Sequence, residues 1–252
     1  MGAPGSHTVL LGIQRGLRRL GLDVRRARRT DAEYSQVLPV ATYSPWNMDA
    51  AFRELYERIE RDTLVDVYRC YELWTVTREL AHVPGALIEI GVWRGGTAAV
   101  IAKSAELAGI TAPLYLCDTF QGVPKAGERD PVYRGGEHAD TSRETVEALL
   151  GELGLSQRTE LLPGIFPDES AGRVPAGQFR LAHIDVDVYE SARGCFEYVW
   201  PRMCRGGVVI FDDYGFDGTG GVRRYVDELR GCSGRLVVHN LNGHAILVKT
   251  HA

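Results

Sequence analysis

Four aspartates on two apolar runs carry the chemistry most readily read from this chain. The stretch "HIDVDVYESA", residues 183–192, places Asp185 and Asp187 two apart among Ile184, Val186 and Val188, and "GGVVIFDDYG", residues 206–215, runs into Asp212 and Asp213. A carboxylate in an apolar strand is costly unless something pairs with it. Read as strands, the two runs put Asp185 and Asp187 on one face by the two-residue period, and neighbouring strands lie about 5 Å apart. Acids from both can therefore converge on one ion. Carboxylates with no thiolate and no HExxH or H-x-H pattern favour a hard divalent cation, Mg²⁺ or Ca²⁺, over zinc. Left unpaired, they would repel one another and raise at least one pKa. A hydroxyl held on such a cation loses its proton more easily, and a nearby carboxylate that is not a ligand can take it. The plainer alternative is that Asp185 or Asp213 caps the next helix or binds turn amides. His183, just before the pair, is expected to support a ligand or to face solvent.

A second group of residues lies earlier in the chain. "LIEIGVWRGGTA" sets Glu89 near the end of a short apolar strand, then Gly91, Gly95 and Gly96, then a helix that opens with small residues. Glycines let such a turn approach a ligand closely, and the helix N-terminus beyond favours a carboxylate. E-x-G-x-x-x-G differs from the dinucleotide fingerprint, which has glycine where Glu89 stands, so NAD and FAD are disfavoured. Asp118 closes the next strand, "LYLCDTFQG", at the place where an acid accepts hydrogen bonds from a ribose diol; capping its own turn is the other reading. Together these residues describe a nucleoside with an amino-acid tail, and S-adenosylmethionine suits them better than a dinucleotide.

These residues need a scaffold that brings strand ends together. After Pro84-Gly85 the chain alternates strand, glycine turn and helix: "ALIEIG", "PLYLCD", "RTELLPG", "FRLAHIDVDV" and "GGVVIFDD" read as strands with helical segments between them. That rhythm predicts an α/β fold, a doubly wound and mostly parallel sheet covered on both faces. "GRLVVHNLNGHAILVKT" predicts a closing antiparallel pair joined around Asn242-Gly243. Upstream, "SPWNMDAAFRELYERIE" reads as a helix capped by Ser44 or Asn47, followed by a second from Leu64 to His82, and Thr141 with Glu144 fits a capping box. Residues 1–62 are assigned to an N-terminal arm and helical extension, and 63–252 to the catalytic domain. Seven arginines between Arg15 and Arg29 make the arm basic, suited to a surface contact or to subunit packing. The polar stretch from Lys125 to Asp140 reads equally as a lid or as a solvated insertion, and Trp93 equally as closing the site or as core.

Composition bounds the rest. A net charge of -4 over 252 residues gives no reason to expect a nucleic-acid partner. No run approaches the length of a membrane span, and the start is a poor signal peptide. Five cysteines, without a CxxC, read as reduced thiols of a cytoplasmic protein.

In order along the chain, "LIEIGVWRGGTA", "LCDTFQGVP", "LPGIF", "IDVDVYES" and "GGVVIFDDYG" resemble the macrocin and mycinamicin sugar O-methyltransferases and the novobiocin noviose O-methyltransferase, over roughly Thr63 to the C-terminus. The resemblance implies a class I methyltransferase fold, S-adenosylmethionine as cofactor and Mg²⁺ as metal. It further implies that Asp185, Asp212 and Asp213 hold the metal and that Asp187 is the general base. Glu89, Gly91 and Asp118 would contact the cofactor, with Thr63 and Leu64 covering it. A small-molecule glycosylated acceptor and a homo-oligomer are implied by the same likeness. A phenol or catechol acceptor is the alternative. A short-chain dehydrogenase is disfavoured because Tyr189 and Tyr225 are followed four residues on by Arg193 and Leu229 rather than lysine. A non-catalytic scaffold is disfavoured by the intact acids.

Overall fold

Short apolar strands that must all run the same way need a crossover connection between each pair, usually a helix, to carry the chain back. The computed structural model describes residues 33–37, 40–175 and 177–251; the arginine-rich arm lies outside the described residues. Helices α1 (Ala50–Ile59) and α2 (Val67–Glu79) precede β1 (Ala86–Ile90), α3 (Gly96–Leu107), β2 (Leu114–Asp118), α4 (Arg143–Glu152), β3 (Thr159–Pro163) and β4 (Phe179–Ile184). Then come α5 (Tyr189–Val199), β5 (Met203–Phe211), α6 (Gly220–Glu228), β6 (Arg235–His239) and β7 (Ala245–Lys249). The strand order is β3-β2-β1-β4-β5-β7-β6, with the first five parallel and the last two antiparallel. This is the doubly wound sheet the sequence predicts, and its direction of winding reverses between β1 and β4.

Alternate strand residues feed two cores. Leu87, Leu116, Leu181 and Ile210 point to the face covered by α1, α2 and α3, where Phe52, Leu55, Ile59, Leu73 and Trp74 are buried. Ile88, Cys117, Ile184 and Phe211 point to the face covered by α5 and α6, with Phe196 and Val222. The compact unit carrying the sheet begins at Ala41, so α1 packs within it.

Two helix caps shift by a few residues. The cap of α1 is Asp49, which accepts from the Phe52 amide at 3.1 Å, because Pro45–Asn47 forms a separate 3-10 turn. The cap of α4 is Ser142, accepting from the Thr145 amide; Thr141 instead donates to the Trp93 carbonyl. The closing pair is linked by residues 240–244, and β7 rather than β6 lies against β5. Ala245–Lys249 is the more buried of the two, while β6 alternates half-buried and exposed residues, as suits an edge. All five cysteines are free, four of them buried. No helix among the described residues is long and apolar enough to cross a membrane.

Candidate active site

Register aligns a row of polar side chains at the carboxyl ends of the central strands. Glu89 on β1 is paired with His183 on β4, and His183 with Ile210 on β5. Two residues beyond Ile210, Asp212 returns to the same face. Across the antiparallel pair, Phe211 lies opposite Ala245, which places His244 beside Asp212. His183 Nδ1 lies 2.8 Å from Glu89 Oε1 and its Nε2 3.4 Å from Asp212 Oδ1. His244 Nε2 lies 2.8 Å from the same Asp212 Oδ1, while its Nδ1 meets Glu72 Oε2. Helix α2 covers this row, so Arg69 and Glu72, one turn apart, reach it together. Arg69 Nη1 contacts Asp212 Oδ2, and its Nε donates to Asp66 at 2.8 Å. His183 is therefore fully buried and does not face solvent.

Asp185 and Asp187 are placed differently from the strand reading. Strand β4 stops at Ile184, and both acids belong to the turn beyond it, with Asp187 in the left-handed region at φ +65°. The turn is held by Asp213, whose Oδ2 accepts from the Val186 amide at 3.1 Å and the Asp187 amide at 2.8 Å. Asp213 thus binds turn amides with one oxygen, in keeping with the plainer alternative for that residue. Asp185, Asp212 and Asp213 still offer oxygens that all lie within 4.8 Å of one another. Asp187 stands beside them, and its Oδ1 accepts from the Tyr133 hydroxyl at 2.5 Å.

The glycine turn lies across the β1–β4 gap. A Cβ at Gly91, φ +88°, would sit 1.6 Å from the Asp185 carbonyl oxygen, so only glycine lets the two turns pass. Asp118 is occupied with the same turn: its Oδ2 accepts from the Val92 and Trp93 amides at 2.7 and 2.9 Å, and its Oδ1 from the Phe120 amide. The Gly96 amide donates to the Asp62 carbonyl, and a Cβ at Gly96 would meet Thr63 at 2.8 Å. Thr63 is thereby brought against the start of α3; its neighbour Leu64 is exposed.

Several contacts fasten the stretch 125–140, among them the following. Asp130 is buried and accepts from the Tyr189 amide at 2.9 Å, serving as a remote cap for α5, whose own cap position is Val188. Tyr133 reaches Asp187 and lies 3.2 Å from His138 Nε2. Asp140 accepts from Trp93 Nε1 at 2.9 Å and Arg94 Nη2 at 2.7 Å, with Arg94 stacked on the Trp93 ring. The segment is thus bonded to Asp187 through Tyr133, and Trp93, half-buried, is one of its attachment points rather than core.

Two observations bear on what the site could hold. Burial, reinforced by Asp212, Asp213 and Asp187, pushes the Asp185 carboxyl well above the ordinary range, and burial with Asp187 and Asp212 does the same to Asp213. Asp212 goes the other way: burial would raise it, but Arg69 and the two histidines hold it well below. An oxygen-liganded divalent cation fits three such carboxylates, since it would cancel the repulsion that raises two of them. Glu89 Oε2, one of three buried side-chain polar atoms without a partner among the described residues, fits a cationic donor. An unpaired buried carboxylate oxygen costs on the order of 1–3 kcal/mol or more, and the ammonium of an amino-acid tail would satisfy it.

Sequence patterns do not single out Arg69, Glu72, Tyr133 or His244 as site residues. Tyr133 lies in the polar stretch that reads as a lid or an insertion. Arg69 and Glu72 look like ordinary polar positions of a helix, and His244 like a hairpin residue; only the pairing of β7 with β5 reveals it.

A family model described as macrocin-O-methyltransferase (TylF) matches residues 50–237. The chain is 35% identical over 158 residues to 8-demethyl-8-(2,3-dimethoxy-alpha-L-rhamnosyl)-tetracenomycin-C 4'-O-methyltransferase of Streptomyces olivaceus, a match covering 59% of each chain. It is 28% identical over 185 residues to demethyldecarbamoylnovobiocin O-methyltransferase of Streptomyces niveus, covering 66% of this chain and 70% of the relative. Among solved structures, the O-methyltransferase NovP superposes with a TM-score of 0.66 at 24% identity, covering 75% of this chain and 83% of its own. The calicheamicin methyltransferase CalS11 does so with 0.60 at 19%, covering 87% and 99%. These superpositions establish a shared fold.

Proposed function

The chain belongs to the macrocin O-methyltransferase family, and from that premise we propose that it moves a methyl group from S-adenosylmethionine to a sugar hydroxyl of a glycosylated natural product, with a divalent cation, Mg²⁺, at the acid cluster. The observation that carries the reading is the convergence of Asp185, Asp212 and Asp213 within 4.8 Å at the end of the sheet, beside the buried, half-paired Glu89. The relatives' names support a glycosylated acceptor.

When bound, the cofactor supplies an electrophilic methyl group and the cation supplies positive charge that makes an aliphatic hydroxyl more acidic. The chain's residues do the rest. Glu89 Oε2 would accept from the ammonium of the cofactor, and Gly91, assigned to the same end of the cofactor, keeps its turn free of a Cβ against the Asp185 turn. Asp118 fixes the turn through three amides and is assigned to the ribose, with Thr63 and Leu64 at the cover of the nucleoside. Asp185, Asp212 and Asp213 would hold the cation. Asp187 accepts the acceptor's proton: Tyr133 occupies Oδ1, which leaves Oδ2 for the hydroxyl. Alignment of that oxygen with methyl and sulfur is the remaining requirement.

The test is a transfer assay with labelled S-adenosylmethionine against a panel of glycosylated antibiotics and, in parallel, catechols. Label should appear on a sugar, should vanish with EDTA and should return with Mg²⁺. Full turnover in EDTA would remove the metal from the proposal, and transfer to catechols alone would remove the sugar. Sedimentation of the whole chain tests the expected homo-oligomer, for which the N-terminal segment is the candidate interface.

A further inference from the structure

Asp212 belongs to two groupings at once, with His183 and His244 on one side and with Asp185 and Asp213 on the other. Its two oxygens are not equivalent. Oδ1 is taken by the two imidazoles, at 3.4 and 2.8 Å. Oδ2 is the oxygen left for a cation, and Arg69 Nη1 already contacts it. Any ion that draws on Asp212 through Oδ2 therefore meets a resident guanidinium. Arg69 is buried, so the encounter takes place where water screens little.

The same arginine has somewhere to go. Its Nε donates to Asp66 Oδ2 at 2.8 Å, and its guanidinium carbon lies 4.6 Å from the centre of the Phe216 ring. Asp66 is itself fixed, since its Oδ1 caps α2 through the amides of Tyr68 and Arg69 at 2.9 and 3.1 Å. A guanidinium offers five donors in a fork, so it can surrender the contact to Asp212 and still keep a carboxylate and an aromatic face.

Resting on the metal reading above, we propose that Arg69 is a tethered cation that competes with the divalent ion for Asp212 Oδ2, so that metal loading is an exchange of one cation for another and Arg69 sets the affinity. Without metal, the guanidinium keeps the carboxylate cluster from being a bare group of buried charges. With metal, its positive charge opposes the incoming ion. Removing Arg69 should thus tighten metal binding, whereas an arginine that merely positioned a ligand would weaken binding when removed.

The experiment uses the full chain stripped of metal and titrated calorimetrically with Mn²⁺ and with Mg²⁺, with no cofactor or acceptor needed. Arg69→Met and Arg69→Gln should each bind Mn²⁺ about tenfold tighter than the wild type or more. Their metal-free melting temperatures should be lower, and the rise in melting temperature on adding Mn²⁺ larger. The glutamine variant keeps a polar group against Asp212 and so provides a folded comparison if the methionine variant does not fold. Equal or weaker Mn²⁺ binding by a folded variant overturns the role of Arg69 while leaving the metal site standing. A wild type that binds neither ion overturns both.

Discussion

Tyr133 and Asp187, from a covering loop and a tight turn, meet hydroxyl to carboxylate at 2.5 Å. The contact fixes which carboxylate oxygen faces the cover and which faces the site. Burial and the neighbouring Asp187 together raise the Tyr133 pKa, so the phenol keeps its proton and remains the donor. Tyr133→Phe should lower turnover by about tenfold, as expected for loss of one hydrogen bond to a charged group. S-adenosylhomocysteine should bind the variant as it binds the wild type. Calorimetry beside the transfer assay checks this, and a parallel loss of binding would show that Tyr133 merely props up the fold.

Asp187→Asn removes the proton acceptor while keeping the shape of the turn, whose Asp187 amide still reaches Asp213. Turnover should fall by roughly 10²–10⁴, the usual worth of a general base. Mn²⁺ affinity should stay within a few-fold of the wild type. A large loss of metal with modest loss of rate would instead place Asp187 among the ligands.

Metal-free protein should lose stability as pH rises. Burial would lower the His183 pKa, yet its hydrogen bonds to Asp212 and Glu89 lift it to about 9. The folded state then binds the proton more tightly than the unfolded state, whose histidine titrates near ~6.5. The stabilisation is full below that value and is lost as pH climbs through about 9. Asp185 and Asp213, also raised, act in the same direction from the ordinary carboxylate range upward. Asp212, lowered, contributes stability lost only as pH falls below the ordinary carboxylate range. Calorimetric melting in EDTA from pH 6 to 9 should show a falling midpoint, with a shallower fall in Mg²⁺. A midpoint that stays flat in EDTA contradicts the assignment.

Gly91→Ala and Gly109→Ala form a matched pair. Both glycines have positive φ, +88° and +70°, but only Gly91 has a backbone atom in the path of a Cβ. The second change should cost about 1–2 kcal/mol for the left-handed backbone alone. The first should cost more than about 4 kcal/mol, because the Asp185 carbonyl must move. Urea unfolding of the two variants compares them directly, and equal midpoints would contradict the close passage of the two turns.

Much of this arrangement is legible in the amino-acid sequence. Alternation of short apolar runs with helical segments is a local signal, and it yields the five parallel strands and the placing of Glu89, Asp118, Asp185 and Asp212 at their carboxyl ends. Features that depend on partners far along the chain escape it. The period-2 rule carries Asp187 onto a strand that has already ended, because the turn is held by the carboxylate of Asp213, 26 residues away, which accepts from the Asp187 amide. His244 carries no motif of its own; its place is set by β7 pairing with β5. Arg69 and Glu72 sit on a stretch whose sequence says helix but not what that helix covers. Asp130, acting as the cap of a helix 59 residues later, leaves no trace in the capping pattern of α5 itself.

The pairing of β7 with β5 has a consequence for the architecture of the acid cluster. Glu89, His183 and Asp212 lie on or just past parallel strands, whereas His244 is brought in by an antiparallel one. That strand covers the edge of β5 and gives Asp212 its second imidazole partner. Without that strand, the row of polar side chains across the sheet would stop at Asp212 with a single imidazole on Oδ1. The closing hairpin is thus part of the frame of the acid cluster as well as the border of the sheet.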